Sequence, residues 1–405
     1  MSFRQHLLVT LLLSICVSCA SGMSPGGIAE VSADSADEEI TALLRRYSDP
    51  KHANMLQSAM WTLTHDYADL KRVHEVLSSF EKFMGALQQH AGGNKPPLDS
   101  LGGLKAFKEK VASWLGDSDQ SVRAFAAIVC GINGDRESIP LLLKIVKRKD
   151  ADDEYSQIYD KGRAAIGLGL LGATENKADI LPFLKSKNDY DRSGAITALT
   201  LLGAKEHAKE VAALLGVPNS FRDDPSPVHF LVETGTAQNH KKELLAAMQS
   251  EFNSDTAEAA MYALVRINAK ENSADVAKLL ADQYKKGDAA KALALLGANE
   301  YTDKIGMMLD DEEQRVQVDA ALALGILGAK KYAPKLASMM TKKEGFVNSY
   351  AAAAIIMINA EEYTADAARI LAKLRADGVY LTQSSFHPLV AEQVRPFIEK
   401  VKAAK

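Results

Sequence analysis

The side chains that could catalyse a reaction or bind a metal are few in this sequence, and their spacing favours neither. None of the nine His forms the His-x3-His pair that places two metal ligands on one face of a helix. Of the three Cys, Cys130 alone lies beyond residue 19, so the rest of the chain can form no internal disulfide. We therefore expect no catalytic residue, no metal site and no cofactor.

Two patterns resemble phosphate-binding sites, and we expect both to be structural. The run GLGLLG, from Gly167 to Gly172, has the Gly-x-Gly-x-x-Gly spacing but falls inside a predicted helix, without the preceding strand of a dinucleotide fold. The basic residues between positions 144 and 149 are followed at once by an acidic run, as at a solvated helix end. The net charge of −4 gives no general attraction for nucleic acid.

Residues 216–235, which read GVPNSFRDDPSPVHFLVETG, come nearest to a reactive site. Pro227 falls within a predicted helix and should shorten or kink it. Three interpretations stay open: a degenerate repeat without a ligand, a local recognition feature, or the acid and base of a lyase-like enzyme or small-ligand binder. The candidate side chains are Phe221, Arg222, Asp223, Asp224 and His229.

A second irregular segment, residues 147–161, is a polar insertion with two tyrosines, Tyr155 and Tyr159. Tyr is favoured at protein interfaces because it supplies apolar area with a polar tip. The segment is therefore either an ordinary solvated insertion or part of a partner-binding surface.

The elements that must position these segments are marked by a helix-ending residue that recurs eight times, about 32 residues apart on average. Gly and Asn adopt the left-handed conformation that ends a helix more readily than other residues. A period of this length with two helices per unit is typical of a stacked α-solenoid. Each of these anchors is predicted to end a first helix: Gly134, Gly172, Gly203, Gly235, Asn268, Gly297, Gly328 and Asn359.

Positions counted back from the anchors form two layers at helical spacing. Eight residues before the anchor stand Ala126, Ala164, Ala195, Pro227, Ala260, Ala289, Ala320 and Ala351, which predicts a close approach of neighbouring helices. Four residues before it stand Cys130, Leu168, Leu199, Leu231, Leu264, Leu293, Leu324 and Ile355, which predicts a core stripe. Cys130 occupies a Leu position, so we expect a buried, unreactive thiol.

The segment from Val316 to Met340, VQVDAALALGILGAKKYAPKLASMM, resembles the short HEAT-type repeats first described in phycobilin lyases. The resemblance covers residues 118–377. It implies an all-α, right-handed α-α superhelix of the HEAT/armadillo-like solenoid class, with about eight helix pairs and helical caps at both ends. It also implies that the second helices line the concave, binding side. It says little about function, because the family includes scaffolds, inhibitors and a few enzymes.

The second helices carry lysines interleaved with acidic residues, which favours a protein partner over a polyanion. The alternative is that these charges keep the helices soluble. The lysines that we predict to bind a partner are Lys242, Lys278, Lys304 and Lys335.

The N-terminus has the pattern of an export signal, with Arg4 ahead of an apolar run from Leu7 to Val17. The sequence CVSC resembles a bacterial lipobox and predicts lipidation at Cys19. Simple secretion after cleavage at a small-x-small site is the alternative, and a retained segment is a third. We expect a periplasmic protein anchored to the outer membrane through lipid alone, with residues 20–37 as a flexible tether.

Two helical caps are expected to flank the repeats, because a terminal repeat has no neighbour to cover its apolar face. The N-terminal cap should span residues 38–117, with a loop at 92–103 and with Trp61 and Trp114 in its core. The C-terminal capping helix should span residues 378–405.

The sequence as a whole predicts a non-enzymatic scaffold that binds a protein or peptide through the second-helix face. A lyase-like enzyme or ligand binder at residues 216–235 is one alternative. An inhibitor or immunity protein that blocks a secreted toxin is another.

Overall fold

The computed structural model describes residues 35–65, 70–149, 159–216, 224–249, 254–341 and 346–376, together with residues 389, 390, 392, 395 and 396. Within these ranges the chain consists of α-helices, short 3-10 helices and turns, with no strand. The all-α prediction is therefore confirmed. The chain divides into two compact units, Met1–Glu206 and His207–Lys405, and the sequence did not indicate this division.

Five helices precede the repeats in the first unit, and from there on first and second helices alternate. The cap helices are α1 (Ser35–Ser48), α2 (Pro50–His65), α3 (Leu70–Ala91), α4 (Pro96–Ser100) and α5 (Gly103–Ser113). The first helices are α6 (Gln120–Asn133), α8 (Asp160–Leu170), α10 (Asp189–Leu201), α12 (Ser226–Glu233), α14 (Ser254–Arg266), α16 (Lys286–Leu295), α18 (Gln314–Ile326) and α20 (Val347–Ile358). The second helices are α7 (Ile139–Val146), α9 (Lys177–Ile180), α11 (Ala208–Ala212), α13 (Lys241–Met248), α15 (Ser273–Lys278), α17 (Thr302–Met307), α19 (Ala333–Met339) and α21 (Glu361–Ala376).

All eight predicted anchors adopt the left-handed conformation, with φ between 52° and 71°. In every repeat, the N–H of the residue that follows the anchor donates to the carbonyl of the residue four positions before the anchor. The N···O distances are 2.9–3.3 Å. This is the Schellman hydrogen bond, which pairs a carbonyl that the helix end leaves without an intrahelical donor. In each repeat, the core residue four positions before the anchor therefore also accepts the hydrogen bond that ends its helix.

Both predicted layers are confirmed as core. The seven Ala of the first layer are completely buried, and so are Cys130 and the seven aliphatic residues of the second layer. Pro227 is buried in place of the eighth Ala, and α12 is shortened to eight residues, as expected for a Pro near the helix start.

The alanine layer gives a direct test of this packing. Replacing Ala320 by Leu should lower the free energy of unfolding by about 1–3 kcal/mol, because a filled core must shift to accept three more carbons. Ala246 on α13 is exposed, so Ala246→Leu should leave stability within about 0.5 kcal/mol. Urea unfolding followed by circular dichroism would measure both. Equal curves for the two variants would mean that the layer is not a close contact.

Aromatic side chains join the N-terminal cap to the first repeat. Phe125 on α6 lies 5.3 Å edge-to-face from Phe80 and 6.3 Å from Trp114, measured between ring centroids. The Tyr47 hydroxyl donates to the Asn133 side-chain oxygen at 2.7 Å. Trp114 is therefore a cap-core residue, as predicted.

Three details of the cap differ from the sequence prediction. Trp61 is not a core residue: its side chain is 54% exposed on α2, because the apolar face of that helix is supplied by Leu56, Ala59 and Leu63. The predicted loop at 92–103 contains α4, and α1 begins within the predicted tether, at Ser35.

Candidate functional site

In the irregular segment at 216–235, the described residues from Asp224 onward form the turn into α12 and the helix itself. The Asp224 carboxylate accepts a hydrogen bond from the Ser226 N–H at 2.9 Å, which stabilises the turn into α12. His229 lies exposed on the same helix. Phe221, Arg222 and Asp223 lie outside the described residues, and the recognition feature predicted there stays a prediction.

Of the two tyrosines in the insertion at 147–161, the structure describes one. Tyr155 lies outside the described residues. Tyr159 is buried, in contrast to the surface position expected of a partner-binding residue. Its hydroxyl shares a 2.6 Å hydrogen bond with Ser121, and its ring packs edge-on against Tyr190 at 5.7 Å. It therefore joins three successive first helices and is not available to a partner.

The lysines predicted on the second-helix face are all exposed, and three of the four have partners within the chain. Lys278 pairs with Asp275 one turn earlier in α15, and Lys335 pairs with Asp310 of the preceding repeat. Lys304 lies 5.7 Å from the centre of the Tyr301 ring. Exposed pairs of this kind add little stability. They match the alternative interpretation, in which these charges keep the helices soluble.

Cys130 is completely buried in α6, as predicted. Burial raises the pKa of its thiol to about 12, with the nearby Asp135 adding to the effect. The thiolate that a nucleophile needs is therefore suppressed at neutral pH.

A surface that the sequence analysis missed lies on the first helices of the second unit. Residues nine, six and two positions before each anchor form a line opposite to the two core layers, because 100° separates successive residues of a helix. We call this line in the second unit the outer ridge. Its members are Ser226, His229, Glu233, Ala259, Tyr262, Arg266, Asp288, Lys291, Leu295, Asp319, Leu322, Ile326, Tyr350, Ala353 and Met357.

The solvent exposure of the outer ridge differs between the first helices of the second unit. His229 and Glu233 on α12 are exposed, as a helix face turned away from the core should be. Tyr262, Leu322 and Met357, at equivalent positions on later helices, are at most 8% exposed. Residues from elsewhere in the chain take part in this burial.

Two residues of the predicted C-terminal capping helix, Leu389 and Val390, take part in this burial. Val390 is completely buried in one apolar cluster with Tyr262, Leu322 and Met357. Leu389 packs against the same cluster, with the half-buried side chains Leu295, Ile326 and Tyr350. Leu389 and Val390 were predicted to belong to an end cap. Both lie in a cluster with residues of four first helices.

A buried ion triad lies on the same outer ridge. The Lys291 amine is 2.9 Å from a carboxylate oxygen of Asp288 and 2.9 Å from one of Asp319. The three side chains are only 10–13% exposed. Gly287 makes the triad possible, because a Cβ there would lie 2.3 Å from an Asp319 carboxylate oxygen.

The triad shifts the protonation of its members. Burial favours a neutral amine at Lys291, but Asp319, Tyr262 and Asp288 outweigh it and raise the pKa of Lys291. Burial raises the pKa of Asp319 despite the neighbouring Lys291. Burial also raises the pKa of Glu258, on α14 beside the triad. Lys291 therefore keeps its positive charge among carboxylates whose negative charge it does not fully neutralise. It is not a neutral, nucleophilic amine.

The sequence did contain a signal for the covered surface. Helices α18 and α20 carry apolar residues on every side, including Leu322 and Met357 opposite the core layers. A helix that is apolar all round is buried all round.

The described residues contain no group of three or more His, Cys, Asp or Glu side chains placed to hold a metal. Over the same residues, no helix has the length and apolar character needed to cross a bilayer.

Comparisons with known proteins give information about the fold only. No protein-family model and no curated protein sequence matches this chain. Similar solved structures include an engineered protein, at 15% identity over 91% of this chain and 99% of that one, with a TM-score of 0.41. The complex of CpcE and CpcF of phycocyanin lyase from Nostoc sp. PCC7120 is 18% identical over 73% of this chain and 94% of that one, with a TM-score of 0.31. Kap121p bound to Pho4p is 14% identical over 99% of this chain and 46% of that one, with a TM-score of 0.37. These values are too low to carry an argument about function.

Proposed function

We propose that this protein is a non-enzymatic scaffold that binds a segment of another protein along its stacked helices. The observation that supports this function most directly is the burial of Val390 against the outer ridge. A surface that already accommodates a short apolar stretch of chain has the shape and chemistry that peptide recognition requires. Helix grooves lined by apolar side chains bind peptides through a few such anchors.

The composition of the outer ridge fits this role. Its apolar residues supply the area from which binding free energy comes, and the flanking charges supply selectivity between partners. Arg266, on α14, is an exposed cation of the outer ridge. The second-helix face with Lys242, Lys278, Lys304 and Lys335 is the other possible binding surface. We place it second, because most of these lysines have intramolecular partners.

Site-specific photo-crosslinking in cells tests the function and the face together. Benzoylphenylalanine would replace exposed residues of the outer ridge, at Glu233 and Arg266, or of the second helices, at Lys242 and Lys304. Lys105 in the cap, which is 88% exposed, is the matched control position. One dominant protein crosslinked from the outer ridge alone would support the proposal as stated. The same result from the second helices alone would move the binding site to that face. No partner above the Lys105 background at any position would sink the scaffold function.

We also propose that the chain is exported and held at the outer membrane by a lipid on Cys19. Residues 1–34 lie outside the described residues, so the proposal rests on the sequence pattern of the signal and the lipobox. Replacing Cys19 by Ala should abolish fatty-acid labelling and move the protein from the membrane to the soluble fraction. Ser24→Ala, which lies beyond the motif, is the control and should leave both unchanged. A Cys19→Ala protein that stays in the membrane fraction would contradict lipid anchoring.

The alternatives from the sequence are less well supported. A lyase-like reaction at residues 216–235 would use Asp223, Asp224 or His229 as acid or base; of these, Asp224 accepts the hydrogen bond that stabilises the turn into α12. An inhibitor or immunity protein is a special case of the scaffold, and the crosslinked partner would identify it.

A further inference from the structure

A cleft in the first unit lies where the N-terminal cap meets the first repeat. Its volume is about 510 Å³, and its lining comes from α1, α5 and the turn between α6 and α7. Clefts of this volume are typical of small-molecule sites. We call it the cap cleft.

The unmatched charge of the cap cleft is negative. Four carboxylates face three cations in its lining: Glu39, Glu109, Asp135 and Glu137 against Lys105, Lys108 and Arg136. The cations already have partners, because Lys108 lies 2.6 Å from Glu39, Lys105 lies 3.8 Å from Glu109, and Arg136 pairs with Glu175 at 2.9 Å. Among the described residues, no cation forms an ion pair with Asp135 or Glu137.

Asp135 stands at a position where the other repeats have a small uncharged residue. It directly follows the anchor Gly134, and its equivalents are Ala173, Ala204, Thr236, Ala269, Ala298, Ala329 and Ala360. The packing of a repeat therefore does not require a carboxylate here. Asp135 is nevertheless only 8% exposed, and a charge is costly to bury. A buried carboxylate that lines a cleft points to a ligand rather than to packing.

The protein compensates this carboxylate only in part. Burial raises the pKa of Asp135, although the backbone N–H of Glu137 and the charge of Lys108 act in the opposite direction. A cationic group in the cap cleft would supply the missing compensation. Leu104 and Ala112 of α5 are half-buried in the same lining and offer apolar surface to the stem of such a ligand.

We propose that the cap cleft binds a small organic cation, a guanidinium or primary ammonium group on a short apolar stem, with Asp135 as its counter-ion. The cap cleft belongs to the first unit, whereas the outer ridge and the second-helix lysines belong to the second. This activity therefore goes beyond the scaffold function, and the photo-crosslinking result does not decide it.

A ligand-observed NMR titration of the full-length protein with n-butylguanidinium tests this site. We expect a dissociation constant in the millimolar range, as is usual for so small a ligand, and no binding of the neutral n-butylurea. Asp135→Asn keeps the shape of the side chain and an oxygen that accepts hydrogen bonds, but it should weaken binding at least about 10-fold. Asp99→Asn, at an exposed position of α4 in the same cap, should bind as the wild type does.

Lys108→Gln should have the opposite effect. Loss of the ammonium near Asp135 should tighten n-butylguanidinium binding about 3-fold, because a like charge is removed. Weaker binding by this variant would overturn the proposal, since the cap cleft would then prefer an anion.

Three further results would overturn the proposal. The first is a wild type that does not bind n-butylguanidinium, or an Asp135→Asn variant that binds it equally well. The second is an Asp135→Asn protein that has lost its native circular dichroism, because the carboxylate would then be structural. The third is tighter binding of N-acetyl-L-arginine amide than of n-butylguanidinium, because the cap cleft would then accept an arginine side chain of a protein.

Discussion

Replacing Lys291 by Ala is expected to lower the free energy of unfolding by about 3–5 kcal/mol. The substitution leaves Asp288 and Asp319, both about 10% exposed, without the ammonium that lies 2.9 Å from each. Removing one partner of a buried ion pair costs more than the pair contributes, because an uncompensated charge stays away from water. Urea unfolding would measure the global effect. Hydrogen exchange of α16 and α18 would show whether it is confined to the triad.

The matched control is Lys278→Ala, which removes a lysine from an exposed ion pair with Asp275 on α15. We expect a loss of at most about 0.5 kcal/mol, because water solvates the remaining carboxylate. Equal losses for the two variants would mean that water enters the triad and that the outer ridge is open in the free protein.

The pH dependence of the stability of the Lys291→Ala variant is a second test of the same triad. Burial already raises the pKa of Asp319 above its value in the unfolded chain, so the folded state binds this proton more readily. The contribution of such a group to stability is present at low pH and is lost as the pH rises through the folded-state pKa. Without Lys291 the pKa of Asp319 should rise further. The difference in stability between wild type and variant should therefore shrink as the pH falls from 7 towards 5. A difference that grows on acidification would contradict this account.

The repeats could be predicted from the sequence almost residue by residue, because local rules decide them. A left-handed helix end selects Gly or Asn, so residues such as Gly172 and Asn359 could be recognised from their type together with their regular spacing. The core layers follow from the helical period, which needs no knowledge of distant parts of the chain. The short helix α12 likewise follows from Pro227.

The outer ridge could not be found in this way, because its environment is decided by residues far along the chain. Tyr262 lies on a face that the period assigns to solvent, yet it is buried in one cluster with Leu322, Met357 and Val390. Tyr159 shows the same limit on a smaller scale: its polar sequence neighbours suggested a surface, but Ser121 and Tyr190 enclose it. Trp61 is the reverse case, in which a large aromatic residue in a cap was expected in the core and lies exposed.

Replacing Gly194 by Ala is expected to cost about 2–3 kcal/mol, although Ala is normally the better helix former. The first helices α8 and α10 cross so closely that a Cβ on Gly194 would lie 2.4 Å from the Cα of Gly162 and 2.5 Å from its carbonyl oxygen. These are backbone atoms, so no side chain can move aside to make room. The whole of α10 must shift, and the buried contacts along it would loosen.

Gly85 on α3 separates this effect from helix propensity. A Cβ there would meet no atom within 4 Å, so Gly85→Ala should raise stability by about 0.5–1 kcal/mol. If Gly194→Ala lowers stability and Gly85→Ala raises it, the loss at Gly194 comes from the close spacing of α8 and α10 and not from helix propensity. Loss of hydrogen-exchange protection in α8 and α10 alone would confirm it. A Gly194→Ala protein that gains stability as Gly85→Ala does would mean that the two helices separate freely and that their close approach is not needed by the first unit.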